Sequence, residues 1–169
     1  MRVKTIETSG NLFSVLGAAT QVGPGFPAGG PFFSNDLIAV ISDRLWRTRY
    51  NADPAVIGKL LNLNGTSYQV VGVMPAGFRF PDDVDVWQRL RWDLTQHSRS
   101  AHFMEGVARL ADGVSLEQAR GAGNALAARL GTEFANSNKG WSFGIVPLLD
   151  DQLGYYRPAL YVLFGAVGL

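Results

Sequence analysis

The chain has 169 residues, enough for one domain or two small subdomains, with 47% hydrophobic residues and only 17% charged. Its formal net charge of +1 lacks the concentrated basic field that phosphate-backbone recognition needs, so nucleic acid is not an expected partner. No cysteine is present, which removes disulfides, thiolate metal sites and thiol nucleophiles.

In chain order, Met1 to Glu7 contains no apolar stretch of the kind that opens a secretory signal. An extracytoplasmic location would therefore be specified by residues outside this sequence. Arg2 to Thr8 alternates, with Val3 and Ile6 among polar residues, and predicts a short strand. Ser9-Gly10-Asn11 precedes a short helix over Leu12 to Leu16, with Gly17 placed to close it in a left-handed conformation. Val22 to Pro31 holds too many glycines and prolines for an element interior and predicts a loop. No Lys-Ser/Thr pair follows it, as a phosphate-cradling loop requires.

Leu37 to Ile41 is a continuous apolar run, the pattern of a strand buried on both faces. Ser42 is placed to cap a helix over Asp43 to Tyr50, with Leu45 and Trp46 toward the core and Arg44, Arg47 and Arg49 outward. Asn51-Ala52-Asp53-Pro54 ends it. The clearest local signal follows. Lys59 to Leu63 and Ser67 to Val73 are strand-like, and Asn64-Gly65 between them suits the positive φ angles of a type I′ hairpin turn. Asp85-Val86-Trp87 begins another extended segment.

Phe103 to Leu110 predicts a strand, Asp112-Gly113 a turn, and Ser115-Leu116-Glu117-Gln118 a capping box. The helix so opened is expected to run to about Leu130, burying Leu116, Ala119, Leu126 and Leu130, with Gly131 at its end. Trp141 to Leu148 completes a β-α-β unit as a second strand. The summary is an α+β architecture in two subdomains. From Pro158 to Leu169 the chain is uncharged and apolar, behind Tyr155, Tyr156 and Arg157, which suit a membrane boundary. A span takes about 20 apolar residues, so this tail is either the first half of one or a buried core helix.

Residues able to carry chemistry do not form a familiar constellation. His97 and His102 lack the intervening Glu and third ligand of a zinc site. Asp82, Asp83 and Asp85 are too few and too irregular for a calcium loop. No Gly-x-Ser-x-Gly elbow is present. Trp46, Trp87, Trp92 and Trp141 are candidates to line a binding groove, although core anchoring is the commoner role. No catalytic, cofactor-binding or metal residue is therefore assigned, and no enzymatic activity is expected.

The run from Ile38, IAVISDRLWRTRYNADPAVIGKLLNLNGTSYQVVGVMPAGFRFP, resembles the extracytoplasmic core domain of MacB-like (macrolide-exporter-type) ABC transporter permeases, in the superfamily shared with FtsX. So do SGNLFSVLG from Ser9, VARLADGVSLEQAR from Val107 and VPLLDDQLGYYRPALYVLFGAVGL from Val146 to the end. The likeness is strongest to the duplicated permeases abundant in acidobacteria and extends over nearly the whole chain. It implies that a first transmembrane helix and about half of one subdomain precede Met1. It places residues 1–100 mostly in a distal inserted lobe, 101–150 in a membrane-proximal β-α-β unit, and 155–169 at the start of a transmembrane helix. It also implies an inner-membrane permease with this domain on the periplasmic side, a separate cytoplasmic ABC ATPase, a permease dimer and a periplasmic adaptor. One departure stands out: where relatives carry Gly-Arg before the phenylalanine matching Phe26, this chain has Pro24-Gly25.

Three functions follow as expectations. The first is a domain coupling transmembrane helix movement to export or extraction of a substrate. The second is a soluble extracytoplasmic ligand- or protein-binding module built around the tryptophans. The third is a hydrolase, for which nothing linear argues.

Overall fold

The computed structural model describes residues 3–27, 33–91, 98, 100–102 and 104–153. They fall into two units, Met1–His97 and Ser98–Leu169. The architecture is mixed α+β.

The first unit is built on a five-stranded sheet. Its strands are β1 (Thr5–Thr8), β2 (Ile38–Ile41), β3 (Leu60–Leu63), β4 (Thr66–Val73) and β5 (Val86–Arg89), in the order β1-β5-β2-β4-β3. β1 runs parallel to β5 and β2 parallel to β4, while β5–β2 and β4–β3 are antiparallel. β2 is thus central, and its apolar run reflects that: Ala39, Val40 and Ile41 have no exposed surface. Alternation sends Ala39 and Ile41 to one face and Val40 to the other. The first face packs with Leu45, Trp46, Val56, Leu61, Tyr68 and Val70. The second packs with Phe13, Phe26, Met74 and Trp87. Each such side chain, fully buried, contributes about 1.5–3 kcal/mol.

Helix α1 (Leu12–Leu16) ends at Gly17 with φ 70°, and helix α2 (Asp43–Tyr50) starts at Ser42, whose Oγ accepts from the Leu45 amide at 3.1 Å. α2 stops at Asn51, which takes φ 51°, a left-handed value that asparagine tolerates. The stop therefore comes before Pro54, where instead a short 3-10 turn (Pro54–Val56) begins under the side chain of Asp53. Leu45 and Trp46 are buried as their spacing predicts. The hydrogen bond from Arg47 holds the Asp43 carboxyl below the usual carboxylate range, against a smaller opposing effect of burial, with Gln21 adding a second bond. Asp53 is held down likewise, first by Lys59 and then by the Ala55 amide. In the hairpin, Leu63 pairs with Thr66 across Asn64 (φ 50°) and Gly65 (φ 86°), the paired positive angles of a type I′ turn.

The second unit contains helix α3 (Leu116–Glu133), followed by α4 (Ala135–Asn138) and α5 (Leu148–Leu153). The capping box of α3 is complete. The Gln118 amide donates to Ser115 Oγ at 3.1 Å, and the Ser115 amide donates to Gln118 Oε1 at 2.8 Å. Ser115→Ala should cost about 1 kcal/mol, read as a lower thermal midpoint of the helical circular dichroism signal, with Ser115→Asp restoring most of it.

Two expectations are not met among the described residues of this unit. Leu126 lies 39% exposed, Leu116, Ala119 and Leu130 are half-buried, and Ala127 is the buried residue of α3. The segments around 103–110 and 141–148 form no strand among the described residues, and Leu148 instead opens α5. A strand exists through its ladder, and no strand partner for either segment is found among the described residues. Residues 141–147 lie instead along α3. Arg120 Nε donates to the Ile145 carbonyl at 2.9 Å, and a Cβ added at Gly123 would come within 2.8 Å of Ile145 Cδ1. Trp141, Phe143, Val146 and Leu149 stay exposed.

Among the described residues no helix is long and apolar enough to cross a membrane. The segment 155–169, read above as the start of a span, lies outside them.

Candidate functional site: a cleft beside the bulged strand pair

The parallel pair β2–β4 is irregular. Ala39 pairs with Val70 but Val40 pairs with Gly72, so Val71 is an extra residue and β4 is bulged there. The bulge turns the Val71 carbonyl toward a loop, where it accepts from the Gly25 amide at 3.0 Å. The loop is held again at its start, where Gln21 and Val22 engage Val73. Thr20 Oγ1 donates to the Gly23 carbonyl at 2.7 Å and tightens the turn.

Glycine is required at three points of this contact, the first being Gly23, where φ is 77° and a Cβ would fall 2.6 Å from the Val71 carbonyl oxygen. A Cβ on Gly72 would lie 2.7 Å from Thr20 Cγ2 and 3.1 Å from the Gly25 Cα, so loop and strand touch backbone to backbone. Gly25 itself has φ 73°, a left-handed angle that side chains resist. The path of the loop here suits glycine. Gly72→Ala should cost about 1–3 kcal/mol through overpacking; a chemical-denaturation midpoint equal to that of the parent chain would show that the loop yields freely.

Between the loop and the start of β2 lies an open cleft of about 710 Å³. Pro24, Phe26, Pro27, Leu37 and Ile38 give it an apolar wall, and Gln69 and Asp36 supply its polar atoms. Asp36 accepts from Ser34 Oγ at 2.5 Å, a local bond that orders the rim. Phe26 is 8% exposed and stacks on Phe13 with centroids 5.6 Å apart, so the floor is anchored in the core. The cleft offers surface and shape. Among the described residues that line it, no acid, base and nucleophile stand within reach of one another.

Of the described residues singled out from the sequence, only His102 and Trp141 are in contact with each other. Trp46 and Trp87 sit in the cores on opposite faces of the sheet, Trp46 donating to the Asp53 carbonyl and Trp87 to that of Phe80. Trp141, in the other unit, is 54% exposed and stacks on His102 at 3.9 Å. A groove lined by several tryptophans is therefore not what these three form. Trp92 and His97 lie outside the described residues. Asp82 and Asp83 are exposed, and Asp83 pairs with Arg79. Among the described residues no group of three or more His, Cys, Asp or Glu is placed to hold a metal ion.

Asp85 parts company with its two neighbours. Its side chain is 1% exposed, whereas Asp82 and Asp83 are exposed. Oδ1 accepts from Arg44 at 2.6 Å and Oδ2 from the Lys4 amide at 3.0 Å, while its main chain bonds Lys4 and Ser42. It joins the entry to β1, the exit from β2 and the first turn of α2. Sequence reading missed this role because its partners lie 41 and 81 positions away.

No curated protein matches the chain. A family model described as the MacB-like periplasmic core domain matches residues 2–125, covering nearly all of the first unit and continuing into α3. Such domains are the periplasmic part of ABC-type permeases and work beside an ATPase. With well over half of its length matched, and with the mixed α+β sheet described above, the chain belongs to the family of MacB-like periplasmic core domains.

Proposed function

We propose that this domain couples the movement of transmembrane helices to export or extraction of a substrate on the periplasmic side of the inner membrane. The family match over residues 2–125 carries this reading. The physical character of the first unit supports it. A sheet packed on both faces, with a loop bonded directly to its bulged strand, moves as a rigid body rather than deforming, as transmission of a helix shift requires. A cleft without convergent titratable groups suits contact with a partner better than chemistry.

In this reading residues 1–100 form a distal lobe, 101–150 a membrane-proximal unit and 155–169 the start of a transmembrane helix. The exposed apolar residues of the second unit, among them Trp141, Phe143 and Val146, support a further pairing of segments 103–110 and 141–148 within the assembled permease. A permease dimer, a cytoplasmic ABC ATPase and a periplasmic adaptor complete the proposal.

No cysteine of this chain competes with an introduced thiol, which allows a labelling test against the unsubstituted permease as control. In the full-length permease, Ser67→Cys and Glu117→Cys each put a thiol at an exposed position. A membrane-impermeant maleimide added to intact spheroplasts should label both, and spin labels at the two sites should report distances that change when the ATPase is trapped with nucleotide. Labelling only after lysis would refute the periplasmic placement. Distances indifferent to nucleotide would refute the coupling.

A further inference from the structure

We propose that Asn64 is a site of spontaneous deamidation which the hairpin holds in check through the side chain of Asn62. Asn64 is exposed at the turn between β3 and β4 and is followed by Gly65. Nothing lies within 4 Å of the place where a Cβ on Gly65 would stand. Gly65 therefore brings no side chain, and no neighbour on that side, to hinder attack by its nitrogen on Asn64 Cγ. In that step the new N–Cγ bond forms, the Cγ–amide bond breaks, the Gly65 amide proton is given up and ammonia leaves. Water then opens the cyclic imide on either side, giving aspartate or isoaspartate. No oxidant or cofactor is needed.

The fold opposes the step at one atom. In a two-residue hairpin the second turn residue's amide is not used by the ladder, so the Gly65 N–H needs another acceptor. Asn62 Oδ1 provides it at 3.1 Å. That bond keeps the proton on the nitrogen that must lose it and fixes the plane of the peptide, while the positive φ angles of Asn64 and Gly65 hold the turn rigid. Asn62 is exposed on the edge strand, so its side chain is not otherwise required by the core.

Isoaspartate adds a methylene to the main chain within the turn. The Leu63–Thr66 pair then loses its spacing, and β3, which carries the buried Leu61, loses its register. Deamidation at this position would loosen one edge of the sheet.

The test incubates the 169-residue chain at mildly alkaline pH, folded and in urea, and follows Asn64 by peptide mapping and an isoaspartyl methyltransferase assay. The folded parent chain should convert more slowly than the unfolded one. Folded Asn62→Ala should convert about three- to tenfold faster than the folded parent, the rate equivalent of one modest hydrogen bond. Asn62→Asp keeps an acceptor and should stay at or below the parental rate, and it serves if the alanine variant folds poorly. Equal rates for Asn62→Ala and the parent, acceleration by Asn62→Asp, or unfolded chain converting no faster than folded would each overturn the proposal.

Discussion

Trp87→Ala is expected to cost about 3–5 kcal/mol, a large share of the total for a unit of this size. Trp87 has no exposed surface and sits at the middle of β5, paired with Ile6 of β1 on one side and Val40 of β2 on the other. Its ring meets Phe13 and Phe78 edge-on, with centroids 5.8 Å and 5.4 Å apart, an arrangement that favours aromatic pairs beyond their buried area. Its indole N–H donates to the Phe80 carbonyl at 2.9 Å. Truncation removes the centre of one core and strands that carbonyl. Trp87→Phe keeps much of the apolar volume and loses the donor, so its cost should fall to about 1–2 kcal/mol. Urea unfolding followed by circular dichroism, with the fluorescence of the remaining tryptophans as a second probe, measures both. A loss below about 1 kcal/mol for the alanine variant would mean that the second face of the sheet is not a packed core.

The parts of this fold legible in the sequence are those decided by neighbours. Ser42 and Ser115 announce their helices because a cap acts on amides three residues away. Asn64-Gly65 announces its hairpin because the turn's angles are a property of those two residues alone. The apolar run of β2 shows a central strand, since covering both faces leaves no place for polar side chains. What the sequence conceals is non-local. β5 enters between β1 and β2, the bulge at Val71 depends on a loop some 45 residues earlier, and Asp85 takes its partners from 41 and 81 positions away. The second unit shows the converse limit. The capping box places α3 well, but the helix pattern alone assigned Leu126 to a core that the described residues do not provide. The strand-like segments beside it likewise have a pattern without a ladder among the described residues.

The cleft was not legible either, and for the same reason. Its wall is drawn from three separated stretches, around Phe26, Leu37 and Gln69, which only the sheet order brings together. The need for glycine at position 25 is not legible in the sequence either. Its cause, a left-handed angle and a bond to the bulged carbonyl of Val71, is visible only in the fold.

The buried carboxylate of Asp85 makes a second strong prediction, in which the two halves of an ion pair are unequal. Arg44 is 59% exposed in its side chain and Asp85 1%. Water therefore screens the arginine and lowers the value of the pair as an attraction. Removing the arginine nevertheless leaves a carboxylate in the interior with one remaining side-chain bond, from the Lys4 amide. Arg44→Ala should thus cost about 1–3 kcal/mol, chiefly the penalty of a buried charge deprived of its partner. Asp85→Asn keeps the shape and an acceptor for Lys4, removes the charge and releases Arg44 to solvent, so its cost should be smaller. In the double variant no buried charge remains, and Arg44→Ala should then add little. Urea denaturation of the four chains at neutral pH closes the cycle. Additive costs would mean that Arg44 does not compensate Asp85. An Arg44→Ala chain within about 0.5 kcal/mol of the parent would mean that the Lys4 amide and local water already satisfy the carboxylate, leaving α2 tied to the sheet by packing and backbone bonds alone.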